Sequence, residues 1–213
     1  MTDETAPDDA PLLLRVEVPF CSFRPDASRE YQDTHPLPPP ATVYGMLLSL
    51  VGVPRERKED HRGVRLALAL EGEPERARVF RKLRRGKELV DLRPDYQDLL
   101  CGLTLWAYLE TGDDAAPRPL TARVRDALHR PRSIRRSGGL SLGESSFLVD
   151  SVTDRATPPD RVTLVRPDPA GFHSLPVWVD HIDRGNTVRG RFLIEEGAAA
   201  NLPACAVAIG GAA

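Results

Sequence analysis

Cysteine is scarce in this chain of 213 residues: Cys21, Cys101 and Cys205 lie far apart, are odd in number and show no CxxC spacing. That argues against a disulfide framework or a zinc knuckle. Cys101, inside an apolar run, reads as a small buried residue. No apolar run reaches the ~18 residues that a membrane helix needs. The first residues are acidic and proline-containing, not a basic start followed by an apolar segment, so no secretory signal is read and the cytoplasm is expected. The histidines His35, His61, His129, His173 and His181 are scattered, with no i, i+3 or i, i+4 pair among them, and no metal or other cofactor is expected. No GxxxxGK is followed by Ser or Thr. Gly139-Leu140-Ser141-Leu142-Gly143 spells GxSxG, but a basic loop precedes it and a strand follows, whereas a nucleophile elbow requires strand, sharp turn and helix.

What is present is ordinary in bulk and uneven in detail. Hydrophobic residues make up 41% and charged residues 28%, enough for one soluble domain with a real core. The net charge of −2 hides local asymmetry. Asp3, Glu4, Asp8 and Asp9 load the start of the chain with acid. From 76 to 87 the chain carries Arg76, Arg78, Arg81, Lys82, Arg84, Arg85 and Lys87 with no acid. From 123 to 136 only Asp126 opposes Arg123, Arg125, Arg130, Arg132, Arg135 and Arg136. Clusters rich in arginine suit phosphate and base stacking, or they are solvated faces.

Periodicity orders the elements. Residues 1–11 read as a disordered acidic tail. Leu12–Val18 alternates as a strand, and 19–37 is a long loop. Prolines at 38–40 deliver a helix over about 40–51 with Val43, Met46, Leu47, Leu50 and Val51 on one face, ended by Gly52. Gly45 and Ser49 leave a small-residue side that something can approach closely. Val64–Leu70 alternates as a strand, and about 72–97 reads as a protruding hairpin arm with Gly86 at its tip. Leu99–Leu109 is a third strand, with Cys101, Leu103, Leu105, Ala107 and Leu109 on one face. Leu120–Leu128 is a second helix, buried along Leu120, Val124 and Leu128, with Thr121 on the surface. Phe147–Val152 is a short strand, 158–176 a Pro-rich loop, and Val177–Val179 and Thr187–Ile194 further strand candidates. The order strand–helix–strand–arm–strand–helix–strand is the ferredoxin-like, split βαβ arrangement. It predicts an α+β fold: one domain over 12–152, extended by a small irregular C-terminal β region over 153–213.

Backbone phosphates take most protein–nucleic-acid contacts, and the basic segments are placed to supply them. Aromatics beside them, such as Phe20, Phe23, Tyr31 and Phe80, either stack on unpaired bases or pack. Gly138 and Gly139 let a backbone approach a phosphate closely. His129 at a helix end is a cap or an acid–base group.

Two segments carry a family resemblance: Pro38-Pro39-Pro40-Ala41-Thr42-Val43-Tyr44-Gly45-Met46-Leu47 and Gly139-Leu140-Ser141-Leu142-Gly143-Glu144-Ser145. In this order and separation the chain resembles, over about 12–195, the fifth family of CRISPR-associated proteins, and its DevS-type members from type I systems more closely. The resemblance implies an RRM-related domain of the RAMP superfamily with the arm as its β-hairpin thumb. It implies a subunit that caps the 5′ handle of CRISPR RNA in a Cascade-like ribonucleoprotein complex. Backbone (seventh-family) and large (eighth-family) subunits would be its partners, with target DNA reached through the complex and no membrane. Most such proteins are not nucleases. One branch cuts repeat RNA without metal, through a Tyr, Lys and His set; Tyr44 and His129 exist here, without a Lys–His pair.

The reading is therefore a non-catalytic RNA-binding subunit. Its expected RNA contacts are Phe23, Arg24, Tyr44, Arg78, Arg81, Lys82, Arg84, Arg85, Lys87, Arg130, Arg132, Arg135, Arg136, Gly138, Gly139, Ser141 and Ser145. Glu144 is expected to orient an arginine. A metal-independent endoribonuclease and a protein-only structural subunit are the alternatives.

Overall fold

Leu12, Leu14, Val16 and Val18 turn inward between partly exposed neighbours, and this period of two forms β1, Leu12–Cys21. The computed structural model describes residues 9–25, 32–84, 92–136 and 138–211, without the side chains of 82–84, 92–94 and 184. After β1 come α1 (Pro40–Leu50), β2 (Arg65–Leu70), β3 (Glu75–Arg84), β4 (Leu92–Glu110), α2 (Leu120–His129), β5 (Ser151–Thr153), β6 (Arg161–Pro167), β7 (His173–Trp178), β8 (Val188–Ala198) and β9 (Val207–Ala208). Short 3-10 segments lie at Arg55–His61 and Ala199–Cys205. The helices start on prolines: Pro39 is extended, and Pro40 fills a first-turn position whose N–H would have no partner. Gly52, at φ +72°, lets the chain leave α1 through a left-handed residue.

Among the described residues, nine strands form one sheet in the order β5-β1-β4-β2-β6-β8-β7, with β3 paired to β4 and β9 to β2. Every strand pair is antiparallel. α1 connects β1 to β2 across the intervening β4, and α2 connects β4 to β5 across the intervening β1. Both helices cover one face, where Leu14, Val16, Leu66, Leu68, Leu103 and Leu105 meet Val43, Leu47, Leu120 and Val124. Each such side chain contributes on the order of 1.5–3 kcal/mol by leaving water. The other face has its own cluster, in which Ala67, Ala69 and Trp106 pack with Val162 and Leu164 of the neighbouring β6 and with Leu202 and Cys205. The Trp106 indole N–H donates to Glu71 at 2.9 Å, so a polar group in that cluster is satisfied.

The arm is the β3–β4 ladder, continuous from Glu75↔Cys101 to Arg84↔Leu92; its expected tip at Gly86 lies outside the described residues. The return limb of the arm and the expected third strand are one strand of 19 residues.

Several expectations are corrected. Cys101 is not buried with Leu103 and Leu105; Leu100 takes the inward place. Gly102 sits at φ +69° and breaks the alternation, and β1 breaks opposite it, with Phe20 exposed and Cys21 buried. Thr121 is fully buried, not on the surface. Its hydroxyl pairs with that of Thr111 at 2.9 Å, which removes the cost of burying it. The stretch 158–176 is not a loop: it contains β6 and the start of β7. Val162 and Leu164 alternate inward, Pro167 ends β6, and Pro176 sits in an edge strand at a register shift. The C-terminal region is accordingly a regular extension of the main sheet, joined where Ala69 and Leu70 of β2 face Leu164 and Thr163 of β6.

Candidate nucleic-acid interface

A groove of about 900 Å³ runs along α1. Gly45 and Ser49 line its helix side, and nothing lies within 4 Å of where a β-carbon on Gly45 would stand. The basic loop forms a second side through Arg135, Arg136, Ser141 and Gly143. Arg55, Lys58, Trp178 and His181 form a third. Arg55, Arg135 and Arg136 are exposed.

Two glycines hold the sides together. The carbonyl of Arg135 occupies the space that a side chain on Gly52 would need. A β-carbon on Gly143, at φ +90°, would stand 2.6 Å from the Ser22 carbonyl oxygen and 3.2 Å from the Phe23 ring. The two resemblance-bearing segments both line the groove, one through Ala41, Thr42, Tyr44, Gly45 and Met46 and the other through Ser141 and Gly143.

The Lys58 side is built by stacking. Its ammonium lies 4.1 Å from the Trp178 ring centroid and donates to the Val179 carbonyl. Trp178 stacks obliquely on Tyr44, with centroids 6.0 Å apart. Burial pushes the His181 imidazole below its ordinary pKa, and Arg55 and Lys58 push it further while Asp180 opposes them. Sequence reasoning missed this whole side. Arg55–Lys58 is interleaved with acids and reads as a solvated run, and 179–183 has no period to place it.

The expected contacts divide. Arg135, Arg136, Ser141 and Tyr44 share the groove. Tyr44 is buried, its hydroxyl donates to the Lys58 carbonyl at 2.5 Å, and burial pushes its phenol well above the ordinary range, with Asp114, Glu59 and Asp60 adding to the shift. It supports the groove more than it faces it. Phe23 is corrected: 4% exposed, it is a core residue with no face free for a base. Arg24 is exposed. Arg130 is exposed and pairs with Asp126, which Arg118 also engages. Arg132 and Ser145 are exposed but do not line the groove. Gly138 adopts φ +79°, and a β-carbon on Gly139 would stand 2.6 Å from the end of the exposed Leu148 side chain. Arg78 donates to Asp98 at 2.9 Å, and Arg81 is bound to Gln97 and Glu144. Lys82 and Arg84 lie in β3 without described side chains; Arg85 and Lys87 lie outside the described residues. His129 pairs with Asp154 at 2.9 Å, off the groove.

A buried polar hub fixes the helices beneath. His61 Nδ1 donates to Asp114 at 2.9 Å, and Arg123 donates to His61 Nε2 at 3.1 Å and to the Val51 carbonyl at 3.1 Å. Asp114 also accepts from the N–H of Leu120 at the start of α2. The hub joins the end of α1 to the beginning of α2. Its members lie 53 and 62 residues apart, with no local pattern to announce them.

An antiparallel α+β sheet with a projecting hairpin and a cationic groove beside its first helix defines a protein suited to holding a polyanionic backbone. Residues 11–190 match the family model described as CRISPR-associated protein (Cas_Cas5), and the chain belongs to that family. The chain is 34% identical over 186 residues to "CRISPR-associated protein Cas5" of Myxococcus xanthus (strain DK1622), covering 83% of this chain and 86% of that one. Its fold is similar to a chain of a solved "CRISPR RNA-guided surveillance complex", with TM-score 0.58 and 17% identity over 90% of this chain and 92% of that one. A second structure, "Crystal structure of Cas protein", superposes with TM-score 0.51 and 18% identity over 89% and 94%.

Proposed function

We propose that this Cas5-family chain is a non-catalytic subunit that caps the 5′ handle of CRISPR RNA in a type I guided surveillance complex. The observation that carries the reading is convergence. Segments about ninety residues apart bring exposed Arg135 and Arg136, together with Arg55 and Lys58, to one groove lined by Gly45 and Ser49 of the first helix. Spaced cations around a backbone-wide opening hold phosphates, and the hydroxyl of Ser141 adds a directional contact.

The order β5-β1-β4-β2 with α1 and α2 on one face supports a ferredoxin-like, RRM-related core, with the β3–β4 arm as its thumb. RRM sheets stack bases on their open face. Here that face carries a buried Trp106 packed in a cluster with Leu202 and Val162, which turns RNA towards the helix-side groove. The seventh- and eighth-family subunits are the protein partners this reading names, with target DNA reached through the complex. The engaged Tyr44 hydroxyl and the position of His129 off the groove favour holding RNA over cutting it.

Incubating the pure protein with repeat RNA and with scrambled RNA tests the reading. Selective binding of intact repeat RNA, with or without chelator, is the expected result. Cleavage abolished by His129→Ala or Tyr44→Phe replaces it with a metal-independent nuclease. Neither binding nor cleavage replaces it with a protein-only subunit.

A further inference from the structure

Gln97 is the buried centre of the arm's root. It is fully enclosed. Its Oε1 accepts from Arg81 Nη1, and its Nε2 donates to Glu144 Oε1 at 2.6 Å. Arg81 Nη1 also lies 3.7 Å from Glu144 Oε2. Gln97 faces Val79 across the ladder and bridges to Gln32 on its other side. There the Gln32 N–H donates to the Tyr96 carbonyl at 3.2 Å, and the Asp98 N–H donates to the Gln32 carbonyl at 2.9 Å. Glu144 is itself held, because its carbonyl accepts from Phe147 N–H at 3.0 Å and Gly143 before it is docked on Ser22.

We infer that Arg81, Gln97 and Glu144 form a latch that sets the attitude of the arm to the groove. In this latch Arg81 serves the carboxylate and not a phosphate, and Gln97 and Glu144 are positioning residues for RNA. A buried amide between a cation and an anion has its orientation dictated at both ends: the oxygen faces guanidinium, the nitrogen faces carboxylate. A phosphate that drew Arg81 Nη1 to itself would strip that nitrogen from both partners and leave the enclosed Gln97 oxygen unpaired, which is unfavourable. The strand alternation agrees. Arg81 shares its face of β3 with Val79, which opposes Gln97, whereas Phe80 points the other way and is 64% exposed. The latch also ties the arm to the turn that delivers Ser141 and Gly143 to the groove. One displacement at Glu144 would disturb both RNA-facing parts.

The inference rests on the groove as an RNA site, so its test has one arm without RNA. The variants are Arg81→Ala, Glu144→Ala, Gln97→Leu and the exchange Arg81→Glu with Glu144→Arg, all in the full chain. Hydrogen exchange of the amides at 75–81 and 95–101 is measured in the free protein. Repeat-RNA affinity is then measured across a salt series. Faster exchange in each single variant is expected. Affinity should fall roughly tenfold, Arg81→Ala combined with Glu144→Ala should be no worse than either alone, and the charge exchange should recover both readouts. The log–log salt slope of Arg81→Ala should match the parent, because no phosphate contact is lost. A slope reduced by about 0.7, the single-strand value for one phosphate contact, overturns the latch. So does unchanged exchange, or tighter RNA binding by Glu144→Ala. If the parent binds no RNA while exchange responds as stated, the latch stands and the functional reading alone fails. Should Gln97→Leu not fold, the two surface variants and the exchange decide.

Discussion

The main-chain carbonyl of Arg135 fills the place that a side chain on Gly52 would occupy. The end of the first helix and the beginning of the basic loop are therefore in direct backbone contact, and the groove beside them exists only while both keep that position.

Gly52→Ala should show this. A left-handed φ costs a non-glycine residue roughly 1–2 kcal/mol, and here the new methyl also meets Arg135. Denaturant unfolding should report a loss at or above that range, and repeat-RNA affinity should fall with it as the loop is displaced. Gly143→Val should cost more, since a branched side chain at φ +90° would meet the Ser22 carbonyl. A variant at either position with parental stability and affinity would dissolve the contact as a design element.

Arg135→Ala combined with Arg136→Ala should behave oppositely. Both side chains are exposed, so stability should stay within ~0.5 kcal/mol of the parent. RNA affinity should drop, and the salt slope should shrink by roughly 0.7 for each phosphate contact removed. Normal binding, or early melting, would make this loop structural.

Acid should loosen the hub. Burial pushes the Asp114 carboxyl up, but the hydrogen bonds from His61, Leu120 and Ala116 outweigh it and hold its pKa below the ordinary value. A depressed carboxylate contributes stability fully above its unfolded pKa, ~3.9, and loses it as pH falls through the lower folded value. Unfolding free energy should therefore decline below about pH 4 in the parent, and less steeply in Asp114→Ala. At neutral pH that variant should already be weaker by about 1–3 kcal/mol, having left the buried His61 Nδ1–H and the Leu120 N–H without their acceptor. Equal pH profiles would remove Asp114 from the account.

Phe80 and Tyr96 face each other across the arm with ring centroids 5.3 Å apart, 64% and 51% exposed. If an unpaired base stacks there, Phe80→Ala with Tyr96→Ala should weaken RNA binding by about 1–3 kcal/mol and abolish quenching of a fluorescent base analogue placed in the handle. Intact quenching would leave the pair as a cross-strand brace worth under about 1 kcal/mol.

What could be read from the chain follows from how locally each feature is encoded. β1, β2 and both helices are written in adjacent residues, as alternation or as a proline start and a glycine stop, and the described elements lie close to where those patterns put them. Errors came where one residue resets a pattern or a distant one completes it. Gly102 shifts the phase of β4 and exchanges Cys101 for Leu100. Thr121 looked like surface because Thr111, its hydroxyl partner, is ten residues away. Prolines concealed β6 and β7, which accommodate them at a strand end and beside a bulge. At the groove, Arg135, Arg136 and Ser141 were legible as a basic loop. Their counterparts Arg55, Lys58 and Trp178 meet them only through tertiary packing, and Phe23 looked available because nothing local reveals the turn at Gly143 that covers it.

β4 runs as one strand from Leu92 to Glu110, its alternation reset at Gly102, from the arm into the middle of the sheet between β1 and β2. Mechanically it is a cantilever whose anchored half carries Leu103, Leu105, Ala107 and Leu109 in the core. A load applied along the projecting half would pass through Gly102 and then be borne by hydrogen bonds in shear against β1 and β2. Pulling on the arm should then meet the resistance of the whole domain.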